Sequence, residues 1–325
     1  MKKIIGLVLV FSLIFVFSTS CAEEQEEETK IGIIKIVEHE SLDIIENSII
    51  EQLEVLGYKD GETAEIYAQS AQNDPGNVAP MMDKFLADGT DIVIAITTPV
   101  AEVALNYADQ IPVIFSAVSD PIAAKLTSSL EKPDKNITGT CDAVPVEKTL
   151  DFAMDNIKNI KTFGFVYNPG EASSVANINK AKEYCKKKGI KTIDASVDSS
   201  NALQQAAESI VTKVDAIFTP TDNTVAEGIS VISQITRDAK IPYFVGADTM
   251  VKGGGLAAIG IQYEDLGIET ADMANMVLNG TPISDIPVKV FDTDLSIFIN
   301  DTTAEDIGVT FSKEVLENPK TVIFE

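Results

Sequence analysis

The residues best suited to hold a small molecule form three clusters, Thr97-Thr98, Ser173-Ser174 and Thr221-Asp222-Asn223. Each stands where a short apolar run gives way to helically spaced apolar residues, so each is read as a helix start behind a strand. A helix start leaves backbone N–H groups unpaired and carries the positive end of the peptide dipoles, which suits an anionic group. Carboxylates at strand ends, Asp142, Glu171, Asp222 and Asp248, suit a cationic one. In the loop after Ile111–Ala117, Asp120 before Pro121 reads as a turn residue, which leaves Ser119 as the binding candidate. Glu38 and His39 follow the first strand and form one wall, and Asn168 opens the loop that carries Glu171. The chemistry available is non-covalent recognition.

Nothing for bond-making chemistry accompanies these residues. The chain has no G-x-S-x-G elbow, no P-loop, no H-E-x-x-H and no G-x-G-x-x-G after its first strand. Gly253-Gly254-Gly255 precedes a strand and reads as a loop. His39 is the one histidine, which excludes a His-rich metal site, and neither a metal nor a cofactor is expected. Cys141 and Cys185 are either a disulfide or two buried thiols. A formal net charge of −25 argues against nucleic acid and against anionic lipid surfaces as partners. The chain is not expected to be an enzyme.

A repeat indicates how the clusters are positioned. DIVIAITTPVAE, Asp91 to Glu102, returns as DAIFTPTDNTVAE, Asp215 to Glu227, and each copy leads to an Ile-Pro strand, at Ile111 and Ile241. Around each copy, strands alternate with helices. Ile31–Val37, Glu65–Ala68, the run from Asp91 and Ile111–Ala117 are strands of the first half. Phe163–Tyr167, Lys191–Ala195, the run from Asp215, the run from Ile241 and Leu256–Gln262 are strands of the second. Helices are expected over 42–56, 78–87, 100–108, 175–188, 201–211, 224–239 and 264–278, followed by IPVKVF, LSIFIN and a short terminal helix. This alternation predicts an α/β fold of two doubly wound parallel-sheet lobes, whose polar loops gather at the carboxyl ends of the strands. Residues 30–142 with about 264–290 form the first lobe, and 143–263 with about 291–325 the second. Three crossovers make a hinge around a ligand cleft.

Residues 1–21 read as an export signal: Lys2 and Lys3, an apolar run from Ile4 to Phe17, then Ser18-Thr19-Ser20-Cys21. Cys21 fits a lipidation site, with Ser18 in place of the usual aliphatic residue. Residues 22–29, AEEQEEET, are an acidic tether between anchor and body.

IGIIKIVEHESLD, AITTPVAEVA, FSAVSDPIAAKL, NITGTCDAVPVEKTLDF, GFVYNPGEASS, VDAIFTPTDNTVA and GADTMV resemble the substrate-binding lipoproteins of ABC importers, in particular the group for tryptophan and related aromatic amino acids. The resemblance runs from Lys30 to about Gly308. It implies a periplasmic-binding-protein fold of the branched-chain amino-acid type, with capture of an aromatic amino acid by hinge closure and delivery to a membrane permease with its ATPase subunit. A ligand-sensing lipoprotein acting through a membrane receptor is the alternative. An amino acid brings a carboxylate for the helix starts and an ammonium for the carboxylates. Asp222→Ala is therefore expected to weaken binding strongly and leave the fold intact.

Overall fold

Apolar runs buried on both faces alternate with amphipathic helices along the whole chain, and the result is two covered sheets. The structure is a computed structural model that describes residues 28–325, so the export signal, Cys21 and the tether up to residue 27 lie outside the described residues. The first lobe opens with β1 (Thr29–Lys35), α1 (Glu40–Val55), β2 (Ala64–Ser70), α2 (Val78–Ala87), β3 (Ile92–Ile96), α3 (Thr98–Ala104), β4 (Val113–Ser116) and β5 (Ile137–Cys141). The chain then crosses to α4 (Val146–Asn156), β6 (Thr162–Tyr167), α5 (Ala172–Lys188), β7 (Lys191–Ser196), α6 (Leu203–Ile210), β8 (Ala216–Thr219), α7 (Asn223–Glu227), α8 (Ile229–Asp238), β9 (Tyr243–Val245), α9 (Asp248–Lys252) and β10 (Ala257–Gly260). It returns with α10 (Tyr263–Leu278) and β11 (Lys289–Val290). A last crossing leads to β12 (Ser296–Asn300), α11 (Asp301–Ile307), α12 (Lys313–Leu316) and β13 (Thr321–Phe324).

The first sheet has the order β11-β5-β4-β3-β1-β2 with every pairing parallel. The second has the order β13-β12-β10-β9-β8-β6-β7, and only β10 and β12 pair antiparallel. The repeat has a structural reason. Asp91, which opens the first copy, accepts the Lys30 backbone N–H at the start of β1 (2.8 Å). Asp215, which opens the second, accepts the Lys161 and Thr162 N–H groups at the start of β6 (2.8 and 2.9 Å). The same carboxylate clamps the same strand pair in both lobes.

The helix expected over 224–239 is in fact two, α7 and α8, divided at Gly228. A Cβ there would lie 2.4 Å from Leu203 Cδ1 on α6, so a larger residue would have to displace that side chain. α4 and β13 are additional to the elements expected from the sequence. In the first lobe α10 lies against α1 so closely that a Cβ on Gly267 would sit 2.7 Å from the Ile45 carbonyl oxygen. Cys141 and Cys185 are buried free thiols, and burial pushes the Cys185 pKa up to about 11. Among the described residues no helix is long and apolar enough to cross a membrane, and no His, Cys, Asp and Glu group could hold a metal ion.

Candidate ligand-binding cleft

Strand order reverses between β1 and β3 in the first sheet and between β6 and β8 in the second, and the loops leaving those strands face one another across the lobes. Such switch points are where open parallel sheets place ligands. The cleft is a slot of about 400 Å³ between the two lobes. The lobes also touch directly over it. Ser41 and Thr249 hydroxyls bond each other, Ser119 Oγ lies 3.2 Å from Thr221 Oγ1, and His39 Nε2 lies 3.4 Å from Asn223 Oδ1. On the rim Lys252 pairs with Glu40 (2.5 Å) and Lys180 with Asp120 (3.6 Å). Exposed pairs of this kind each contribute about 0.2–1 kcal/mol. Among the described residues no lysine or arginine lines the slot.

At the hinge, the first crossover delivers Asp142 and the second delivers Tyr263. Ser119 Oγ donates to Asp142 Oδ1 (2.9 Å) and the Tyr263 hydroxyl donates to Oδ2 (3.1 Å). Those bonds hold the carboxylate in place and leave lone pairs free, since an ionised carboxylate has about four acceptor sites. Burial, opposed by the two hydroxyls, pushes the Asp142 pKa up to about 6. A cation entering the slot would remove that penalty.

On the first lobe, His39 and Ser41 stand at the start of α1. Lys35, buried at the end of β1, donates to Asp43 (2.6 Å) and Glu46 (3.2 Å) and pairs with Glu38 (2.7 Å). Burial alone would lower the Lys35 pKa, but these carboxylates together hold it above its ordinary value. That cluster fastens the loop carrying His39 to α1. Burial lowers the His39 pKa, so its imidazole is neutral near pH 7. Asn223 Nδ2 donates to Glu171 Oε2 (2.7 Å), which makes Asn223 Oδ1 an acceptor and His39 Nε2 the donor to it. His39 Nδ1 is then an acceptor, buried and without a partner among the described residues, and Thr97 Oγ1 likewise has none. Both residues line the slot.

On the second lobe, Asp222 caps α7 through Val225 N (3.0 Å), and its other oxygen accepts from Asn168 N (2.6 Å) and Ser174 Oγ (2.6 Å). Glu171 accepts from the Asn223 and Thr224 backbone N–H groups (both 3.1 Å), the Asn223 side chain and Thr224 Oγ1 (3.2 Å). Burial, and for Glu171 the neighbouring Asp222 charge, push both carboxyls above the usual carboxylate range.

With this geometry, relatives are informative. Residues 30–323 match the family described as ABC transporter substrate binding protein. The chain belongs to this family. It is a family of substrate-binding transport proteins, not of enzymes, and its members act outside the cytoplasmic membrane. A protein of Clostridioides difficile named "Tyrosine-binding protein" is 35% identical over 95% of this chain and 93% of its own. The crystal structure of an ABC domain in complex with L-Trp, from Streptococcus pneumonia, is 34% identical over 91% of this chain and all of its own, with a TM-score of 0.85. The ligand-free, open structure of a substrate binding protein with adhesive properties from Clostridium difficile is 38% identical over 91% of this chain and all of its own, yet its TM-score is 0.69.

The slot of this substrate-binding protein brings together His39, Thr97, Thr98, Ser119, Asp142, Ser173, Thr221, Asp222 and Asn223 from the sequence-derived candidates. Five others do not line it. Glu38 is exposed and turns to Lys35, and Asn168 and Glu171 face a neighbouring crevice. Ser174 is spent on Asp222, and Asp248 accepts the Thr249 N–H (2.8 Å) at the start of α9. Burial raises the Asp248 pKa to about 6, but it does not line the slot. Sequence reasoning missed Tyr263, Ser41, Met250 and Ala247. Ser41 reads as an ordinary helix cap, and small or apolar wall residues leave no local signal.

Thr97 has φ 87° and ψ 157°, a region left almost wholly to glycine, and Ala117 beside the slot has φ 54°. Strain of this kind costs about 1–3 kcal/mol and gathers at functional sites. Thr97→Gly is expected to raise the melting temperature and weaken ligand binding at the same time. Thermal unfolding and calorimetry of the one variant check both signs.

Proposed function

We propose that this protein captures a free aromatic amino acid (tyrosine, tryptophan or phenylalanine) between its lobes and hands it to an ABC permease with its ATPase subunit. The observation that carries the reading is the slot, which combines the Asp142 carboxylate, unpartnered His39 Nδ1 and Thr97 Oγ1, and no basic side chain. Asp142 takes the ammonium. Hydroxyls of the Thr97-Thr98 loop and of Ser119 suit the carboxylate, and close walls that include Tyr263, Met250 and Leu42 suit a flat ring. The names of the two relatives above, for tyrosine and for L-Trp, support the same class. Closure supports the mechanism. The open relative has the higher identity but the lower structural similarity, as expected if this arrangement is the closed one. A lipid on Cys21 would keep the body at the membrane, and the mass of the mature amino-terminal peptide tests that.

The test is thermal unfolding of the ligand-free body against all common amino acids, nucleosides and sugars. A ligand that binds only the folded state raises the melting temperature by mass action. A selective rise with aromatic amino acids supports the reading, and a rise confined to other compounds rejects the ligand class.

A further inference from the structure

Glu171 is a buried acid off the slot wall that accepts the first backbone N–H groups of α7, the same turn that a second buried acid, Asp222, caps. Its donors and those of Asp222 are all neutral: backbone N–H groups, hydroxyls and one amide. The pair sits between two spaces. Asp222 lines the slot and Glu171 the outer crevice, and neither space has a lysine or arginine in its wall. The titratable groups facing the pair add no positive charge. They are Asp142 and His39 across the slot, Tyr243 beneath Asp222, and Glu102 and Asp198 in the crevice. His39 is neutral through burial.

Two adjacent carboxylates without a counter-ion do not both ionise in a buried site. We propose that Glu171 and Asp222 share one proton when the slot holds no ligand, and that an ammonium group arriving at Asp142, across the slot from Asp222, expels it to solvent. The ligand is already protonated, so the pair goes from one negative charge to two and one proton passes to the buffer. Capture is then linked to proton release, and a rise in pH through the neutral range tightens binding. Glu171 acts as a positioning residue that reaches the ligand through Asp222 and Asn223. This rests on the proposed amino-acid ligand only for the release step.

Two experiments test it. Folding should be proton-linked without ligand, because the folded protein holds a proton that the unfolded chain releases near the ordinary Glu value of 4.5. Wild-type stability therefore falls as pH rises from about 4.5 through the raised folded value. Glu171→Gln keeps the volume and removes the titrating group, and the acceptor it loses lowers stability equally at every pH, so its melting temperature should gain at least about 3 °C relative to wild type between pH 5 and 8. Parallel profiles would overturn the shared proton. The second experiment needs no variant. Calorimetry of L-tyrosine, L-tryptophan and L-phenylalanine in phosphate and in Tris near pH 7.5 should give enthalpies that differ by the buffers' ionisation heats times the protons released. Equal enthalpies with saturable binding would overturn the linkage. Diverging melting profiles with no heat from any of the three amino acids would uphold the shared proton and reject the aromatic reading.

Discussion

Asp142→Asn is expected to cut ligand affinity by about a hundredfold or more while leaving the fold in place. Asp142 is the acid at the slot whose two protein hydrogen bonds come from hydroxyls and leave acceptor capacity facing the cleft. Removing one partner of a buried charge pair costs about 2–5 kcal/mol, which is roughly thirtyfold to several thousandfold. Asparagine fills the same space and keeps a carbonyl for one of the two hydroxyls, so folding loses little. The pH dependence has a definite sign. The folded value of about 6 lies above the ordinary 3.8, so the ligand-free protein holds this proton more tightly than the unfolded chain does. Ligand-free stability therefore falls as pH rises across that window, and binding moves the other way. The ammonium needs the ionised acid, so the Asp142 contribution to affinity is complete above about pH 6 and falls about tenfold per unit below it. The variant should lose that acid-side slope. Calorimetry of both proteins from pH 5 to pH 7 measures the loss and the slope together.

The legible and illegible parts of the molecule differ by one physical property, the range of the interaction. Strand and helix alternation is local, and the Asp91 and Asp215 repeats carry the two-lobed fold because each bonds a neighbouring strand of the same type. Helix-start clusters are local as well, so Thr97, Ser173 and Thr221 were found where they line the slot. What a carboxylate does is not local. Besides the local cap at Val225, Asp222 receives donors from residues 54 and 48 positions away, and Tyr263 meets Asp142 across 121. In the sequence Asp142, Glu171, Asp222 and Asp248 are four equivalent acids. Burial and partners divide them: Asp142 is held by two hydroxyls at the hinge, Asp222 and Glu171 accept at the start of α7, and Asp248 accepts at the start of α9.

Asp222→Ala is the second large effect, and here the structure reverses the expectation drawn from sequence. A residue that merely touched the ligand could be cut back with the fold intact. Asp222 instead joins three segments: it caps α7 at Val225, holds the Asn168 backbone N–H and fixes Ser174 at the start of α5. Loss of a cap costs about 0.5–2 kcal/mol, and each buried donor left unpaired about 1–3 kcal/mol. Relief of the repulsion with Glu171 offsets part of this, so a net loss of about 2–4 kcal/mol is expected, a drop of roughly 5–15 °C in melting temperature. Ligand binding should fail as well, because Asn223 and the α7 start lose their anchor and His39 loses its partner across the slot. Thermal unfolding separates the two roles. An unchanged melting temperature with lost binding would make Asp222 a plain ligand contact, whereas a large drop, set beside a nearly unshifted Asp142→Asn, assigns the ammonium to the hinge acid and the architecture of the second lobe to Asp222.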